Sequence, residues 1–289
     1  MAAVPEITIY SSKASQWASV AHLTLAEKGY QPKEYRVEEI DLLGGENFNP
    51  DFLRIQPNGT IPALTSSDLE EPLIESADIL RYLDKLRPGS RSLFPANPAQ
   101  RQKVDALIEH IHQPHMSTNL ILLGARNKEE MDGKRTGPFK QFVNNRQEKL
   151  ERYAAAHSEL NQFYAPKTKE NAKLYELYNR AEVGPEHEQF FRDTHEGYRA
   201  LARGLENLDS LLVLPYAAGE SVTAADFHIV PWLAHALWGA GGTSIDDFQP
   251  LEKSIQKSDP DFRFGEKTKA WWKNISATPA FQHVFPQLH

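Results

Sequence analysis

Strand-forming runs end early in this 289-residue chain. β-Branched and aromatic clusters mark "ITIY" (7–10), part of "KEYRVEEID" (33–41), residues 62–66 and residues 72–75 as strands. From Arg101 onward no segment reads that way. Between the strands, 15–29 predicts a helix with Ser15 as N-cap, Lys28 in its last turn and Gly29 just beyond. Residues 49–57 predict one or two helical turns. Residues 75–86 predict a helix with Ile79, Leu83 and Leu86 on one face, Ser76 capping its start and Pro88 stopping its end. The last two strands form a hairpin around Ser66-Ser67-Asp68. The resulting order, strand–helix–strand–(helix)–strand–strand–helix, is that of a thioredoxin-like fold.

The stretch 87–100 is rich in Pro, Gly and Ser, and beyond it the pattern is helical throughout. We therefore expect an α+β thioredoxin-like domain over 1–88, a linker over 89–98 and an all-helical domain over 99–289. Within the latter, the first helix kinks at Pro114. Long helices follow at 138–164 and 186–212. The box Thr223-Ala-Ala-Asp226 opens a helix whose face carries Val230, Leu233, Ala234 and Leu237.

Composition narrows the chemistry. The formal net charge is −7 with no Lys/Arg block, which argues against nucleic acid or an anionic membrane as partner. No apolar run reaches the roughly 18 residues needed to span a bilayer, and no leader is evident, so a cytoplasmic protein is expected. There is no cysteine. Disulfides, thiolate metal sites and a cysteine nucleophile are excluded, and any thiol chemistry must use a thiol carried by the ligand.

One local feature is unusual. In "PNGTIPAL" (57–64) a turn signal, Asn58-Gly59, leads to a proline, Pro62, at the mouth of a strand, where a ladder hydrogen bond is lost. This stretch, with "IYSSKASQW", "LTLAEKGY", "NPDFLRIQPNGTIPAL", "IESADILRYLD", "LFPANPAQR" and "TAADFHIVPWL" in that order, resembles the cytosolic glutathione transferases, zeta- or omega-like, over nearly the whole chain. The resemblance implies a cis Ile61–Pro62 bond that leaves the Ile61 N–H and C=O free for the cysteinyl backbone of glutathione. It implies that the Ser76 hydroxyl and N–H hold the γ-glutamyl carboxylate at a helix N-terminus, and that Glu75 faces its ammonium. It places a catalytic hydroxyl at Ser15, with Ser11 and Ser12 as rivals; a cysteine occupies this place in omega-like members. The glycyl carboxylate has no clear donor in the family-like position, and Asn49 is the nearest candidate.

A second substrate, a hydrophobic electrophile, is expected between the domains against Trp17, His110, His112, His115 and Met116. His110 and His112 would point about 200° apart on a helix while His112 and His115 share a face, so no metal is expected. The excess length near 126–190 is expected to be a solvated helical hairpin; a lid over the second site is the sharper alternative. The implied activity is transfer of glutathione to an electrophile by a homodimer, in detoxification or secondary metabolism, with glutathione as co-substrate. Glutathione-dependent isomerisation, ether cleavage, or glutathione binding without turnover remain alternatives.

Overall fold

A computed structural model describes residues 6–288. Strand β1 (Ile7–Ser11) lies between β2 (Tyr35–Glu39), parallel to it, and β3 (Ala63–Ser66), antiparallel to it. The expected fourth strand is reduced to one bridge. Leu64 and Leu73 exchange two hydrogen bonds of 2.8 Å, and no ladder continues beyond them. Helix α1 (Ala18–Glu27) follows β1, the single turn α2 (Pro50–Leu53) precedes the proline turn, and α3 (Ser76–Lys85) follows the bridge.

Helices α1 and α3 pack on one sheet face through Ala21, Leu25, Ile79 and Leu83, against Ile7, Ile9 and Leu64. Helix α1 ends as its sequence predicts. Gly29 adopts φ +69°, its N–H bonds to Ala26 and that of Tyr30 to Leu25, which closes the last turn. Its start differs from expectation. The chain turns first through 12–15 and the helix begins at Ala18, so Ser15 is not its N-cap. Ser76 is likewise the first helical residue of α3, and Glu75 occupies the cap position without a side-chain bond.

The connection to the helical half is pinned by charge. Lys28 and Asp84, both buried, pair at 2.7 Å. Asp84 also accepts the Leu93 N–H and the Ser92 hydroxyl, so the ion pair satisfies the linker backbone as well.

The helical half comprises α4 (Pro98–Ile111), α5 (Asn119–Leu123), α6 (Lys128–Arg135), α7 (Pro138–Ala156), α8 (Asn161–Asn179), α9 (Pro185–Leu211), α10 (Ala224–Gly239), α11 (Gln249–Gln256), α12 (Glu266–Ser276) and α13 (Pro279–Val284). Asn97 caps α4 by accepting the N–H groups of Ala99 and Gln100. The chain then passes Pro114 as a separate 3₁₀ turn, Pro114–Met116. The helix expected over 138–164 breaks at His157, and α8 starts in what reads as one continuous polar pattern.

Helix α10 is buried on every side, not along one face. Its expected box forms, and Asp226 does more than cap. Its carboxylate accepts the N–H of Thr223, the Thr223 hydroxyl, the N–H of Ala217 and the indole N–H of Trp271. Around α10 a single apolar cluster joins Val20, Leu23 and Leu80 of the α/β half to Leu107, Leu205, Trp232 and their neighbours.

The insertion is not a solvated extension. Helices α7 and α8 form a hairpin that packs on the α/β half through Leu150, Tyr164, Tyr153 and Phe163 against Phe48 and Leu53. The Tyr164 hydroxyl donates to the Phe48 carbonyl at 2.7 Å, and the Asn145 amide donates to that of Leu43 at 3.0 Å. Apolar residues spaced along an otherwise charged pair of helices gave this face too weak a signal to be read in advance.

Candidate functional site

Strand directions bring four loops to one end of the sheet. Residues after β1 and β2 emerge there because those strands are parallel, and residues before β3 because it is antiparallel. The bridge at Leu73 runs antiparallel to β3, so residues 75–76 join them. Ser15, the loop after Glu39, Ile61–Pro62 and Glu75–Ser76 thus share one edge.

The Ile61–Pro62 bond is cis, as the resemblance implies; a second cis bond, Leu214–Pro215, was not foreseen. Of the preceding Asn58-Gly59 pair, Gly59 alone has positive φ, +61°. A Cβ there would stand 2.8 Å from the ring of Phe163, so the turn needs glycine both for its backbone and for the hairpin seated on it. The Ile61 side chain is buried. Its carbonyl is not free as expected: the Ser15 hydroxyl donates to it at 3.0 Å. Its N–H has no partner among the described residues. The Ser15 hydroxyl that makes this bond is half-buried.

The rival serines are enclosed. Ser11 and Ser12 are buried, and Ser11 Oγ is bonded to His22 Nε2 at 2.9 Å. The N–H groups of Gln16 and Trp17, just ahead of α1, have no partner among the described residues. The same holds for the Ser76 hydroxyl and for the N–H groups of Ser76 and Ala77 at the start of α3. Glu75 is exposed beside them.

Sequence reading missed the residue that ties this edge together. Gln56 is fully buried, and its amide donates to the carbonyls of Pro62 (3.3 Å) and Ile74 (3.0 Å) while its oxygen accepts the Asn58 N–H (3.2 Å). It therefore fixes the proline turn relative to Glu75–Ser76. A glutamine next to a turn proline carries no pattern that announces this. Asn49 is engaged locally, its side-chain oxygen accepting the Asp51 N–H at 2.9 Å to cap α2.

The expected second-substrate wall does not assemble as one surface. Trp17 and His112 stack at 4.0 Å with a 16° interplanar angle, and His112 Nε2 meets His228 Nδ1 at 3.1 Å. His115 lies elsewhere, beside His110, Arg203 and Asn207 at a cleft of about 310 Å³. Met116 is fully buried, and its carbonyl accepts the Trp232 indole N–H. The reason is local: α4 stops at Ile111, so three-residue spacing across the Pro114 turn no longer keeps His112 and His115 on one face.

His228, which the sequence did not single out, is fully buried. Burial, together with the neighbouring His112, lowers its pKa to about 3. Among the described residues no group of three or more His, Asp or Glu is placed to hold a metal, and no helix is long and apolar enough to cross a membrane.

Residues 9–91 match the family described as glutathione S-transferase, N-terminal domain. Maleylacetoacetate isomerase maiA of Aspergillus fumigatus is 23% identical over 286 residues, covering 95% of this chain and 94% of that protein. A zeta-class glutathione S-transferase of Euphorbia esula is 34% identical over 93 residues, spanning 32% of this chain and 39% of that protein. Among solved structures, the β-etherase LigF of Sphingobium sp. strain SYK-6 superposes with a TM-score of 0.60 at 19% identity, covering 97% of this chain and 98% of that one. Glutathione transferase F7 of Populus trichocarpa gives 0.56 at 21%, covering 96% and 97%; these structural likenesses establish the fold. An α+β thioredoxin-like domain carrying a helical domain, with a family match over its first part, leads to one assignment: residues 9–91 form a glutathione S-transferase N-terminal domain, and the chain as a whole has the glutathione transferase fold.

Proposed function

We propose that this protein binds glutathione along the Ile61–Ser76 edge and activates its thiol at Ser15 for attack on a hydrophobic electrophile. The observation that carries the reading is the hydrogen bond from Ser15 to the Ile61 carbonyl, because it puts the candidate hydroxyl within one bond of the backbone a cysteinyl unit would pair with. The ligand's cysteinyl N–H replaces Ser15 as donor to that carbonyl, and the ligand carbonyl takes the free Ile61 N–H, as in strand addition. Ser15 is then released to donate to the sulfur. The unpartnered N–H groups of Gln16 and Trp17 add positive potential there, so the thiol gives up its proton to solvent water below its ordinary pKa of about 8.5. The thiolate forms the new carbon–sulfur bond while the electrophile's leaving group departs with the bonding pair. At the other end, the Ser76 hydroxyl and the N–H groups of Ser76 and Ala77 receive the γ-glutamyl carboxylate, and Glu75 faces the ammonium. A cytoplasmic homodimer fits this reading.

The end-to-end similarity to a protein named as an isomerase supports a second reading, in which glutathione adds to a substrate and is expelled unchanged. Glutathione consumption separates the two. The site itself is tested with wild type and Ser15→Ala on a chromogenic aryl halide, together with the ultraviolet absorbance of bound thiolate. Ser15→Ala should bind glutathione normally, lose the thiolate signal at neutral pH and turn over about 100-fold slower, the usual scale for removing one donor from a developing anion. Equal turnover would remove Ser15 from the chemistry. Binding without turnover on any electrophile would make the protein a carrier.

A further inference from the structure

The ligand edge has a direction. Across the sheet the order is β2, β1, β3 and then the Leu73 bridge, so the loops at the shared end lie in the order 40–49, 12–15, 61–62 and 75–76. A tripeptide with its γ-glutamyl end at Ser76 and its cysteinyl unit on Ile61 must carry its glycyl carboxylate toward the 40–49 loop. That loop offers no free cation. Between residues 40 and 60 the one basic residue is Arg54, which pairs with Asp51 on the exposed surface.

The α7–α8 hairpin fills this corner with cations instead. The Arg146 guanidinium lies over the ring of Phe48, 4.7 Å from its centre. The stem of Lys149 covers Gly45, whose φ of +76° and close packing leave no room for a side chain. The Lys167 ammonium sits 5.0 Å above Phe163, the ring seated on Gly59. None of the three makes a hydrogen bond or ion pair with another described residue. Glu170 is the acid whose charge reaches Arg146 and Lys167, yet it forms no ion pair with either. Burial lowers the pKa of both. Beside Gly59, the Asn47 side-chain oxygen is buried with no donor, an acceptor suited to a ligand N–H. Unmatched half-buried cations are costly unless an anion joins them.

We propose that Arg146, flanked by Lys149 and Lys167, receives the glycyl carboxylate of glutathione, so that the inserted hairpin completes the ligand site. This rests on the glutathione reading above. A planar guanidinium held on a ring face presents two parallel N–H groups to a carboxylate, and the two ammonium groups add point charge around it.

The test is calorimetry with two ligands, glutathione and its glycyl monoethyl ester, on wild type, Arg146→Gln and Lys167→Gln. Wild type should bind the ester about 10- to 100-fold more weakly than glutathione, the scale of one charge-assisted contact. Arg146→Gln should lose the same factor for glutathione and nothing for the ester. Lys167→Gln should lose about two- to fivefold for glutathione alone, and it carries the test if circular dichroism shows Arg146→Gln misfolded. An unchanged ratio of the two affinities in both variants would overturn the proposal, as would equal losses for both ligands, which mark a purely structural role. Wild type binding the two ligands equally well overturns this assignment while leaving the glutathione reading intact. Wild type binding neither overturns both.

Discussion

Helix α10 and the α7–α8 hairpin both join the helical half to the α/β half, and they are built from different materials. Around α10 the contact is broad and apolar: Val20, Leu23 and Leu80 merge with Trp232, Leu233 and Leu107 into one core. The hairpin contact is narrow, a cluster of Phe48, Leu53, Leu150 and Tyr164 with a few partly buried neighbours, rimmed by the stems of Arg146, Lys149 and Lys167. Apolar burial stabilises in proportion to area. The first contact therefore belongs to the global folding unit, and the second can open locally without unfolding the rest.

The largest test of this contrast is Asp226→Ala. The substitution leaves the N–H groups of Thr223 and Ala217 and the Trp271 indole without their acceptor in the middle of the broad core. Three orphaned buried donors at on the order of 1–3 kcal/mol each cost about 3–9 kcal/mol, and because removing the buried carboxylate also relieves its desolvation, a net loss of about 3–5 kcal/mol is expected in urea unfolding. The loss should be global, with every spectroscopic probe shifting together. Retained stability, or a loss confined to the hairpin, would mean that α10 does not anchor the fold.

A second test uses pH. His228 is buried at the same core, and its folded pKa of about 3 lies far below the ordinary value near 6.5. Above 6.5 the ring is neutral in both states and has no linkage effect. Below it, the unfolded chain takes up a proton that the folded chain refuses until pH approaches 3, so stability falls as pH falls. The slope from this one group is about 1.4 kcal/mol per pH unit below about 6. Unfolding free energies at pH 7, 6, 5 and 4.5 should therefore decline less steeply in His228→Gln than in wild type. Parallel declines would show that the ring is not shielded as its place in the core requires.

The two contacts also differ in how far the sequence disclosed them. Strands, the α1 terminus at Gly29, the Thr223–Asp226 box and the proline turn all have local causes: β-branching, positive φ, capping chemistry. Each could be read from a few adjacent residues. The convergence of Ser15 with Ile61 was expected only through the resemblance, and the hydrogen bond from its hydroxyl to the Ile61 carbonyl depends on how the two loops fold together. Gln56 and His228 were invisible because their contacts, and that of Arg146 with Phe48, depend on partners that no local sequence pattern announces. The histidines failed for the opposite reason: helical spacing was applied across Pro114, where the helix had already ended.

The smallest effect isolates the narrow contact. Tyr164→Phe removes the hydroxyl that donates to the Phe48 carbonyl and leaves the ring in place. Burial pushes this hydroxyl's pKa up to about 12, so it stays protonated and the bond persists across the working pH range. Its net worth is about 1 kcal/mol, equivalent to roughly a fivefold change in a local opening equilibrium. Hydrogen exchange should therefore quicken by about that factor in α7 and α8, while amides in α10 exchange as in wild type. If both regions sped up equally, the hairpin would belong to the same cooperative unit as the core, and a cover that opens by itself would have no physical basis. If neither changed, the hairpin would be held by its apolar packing and the Asn145–Leu43 hydrogen bond, and the Tyr164 hydroxyl would contribute nothing to its docking.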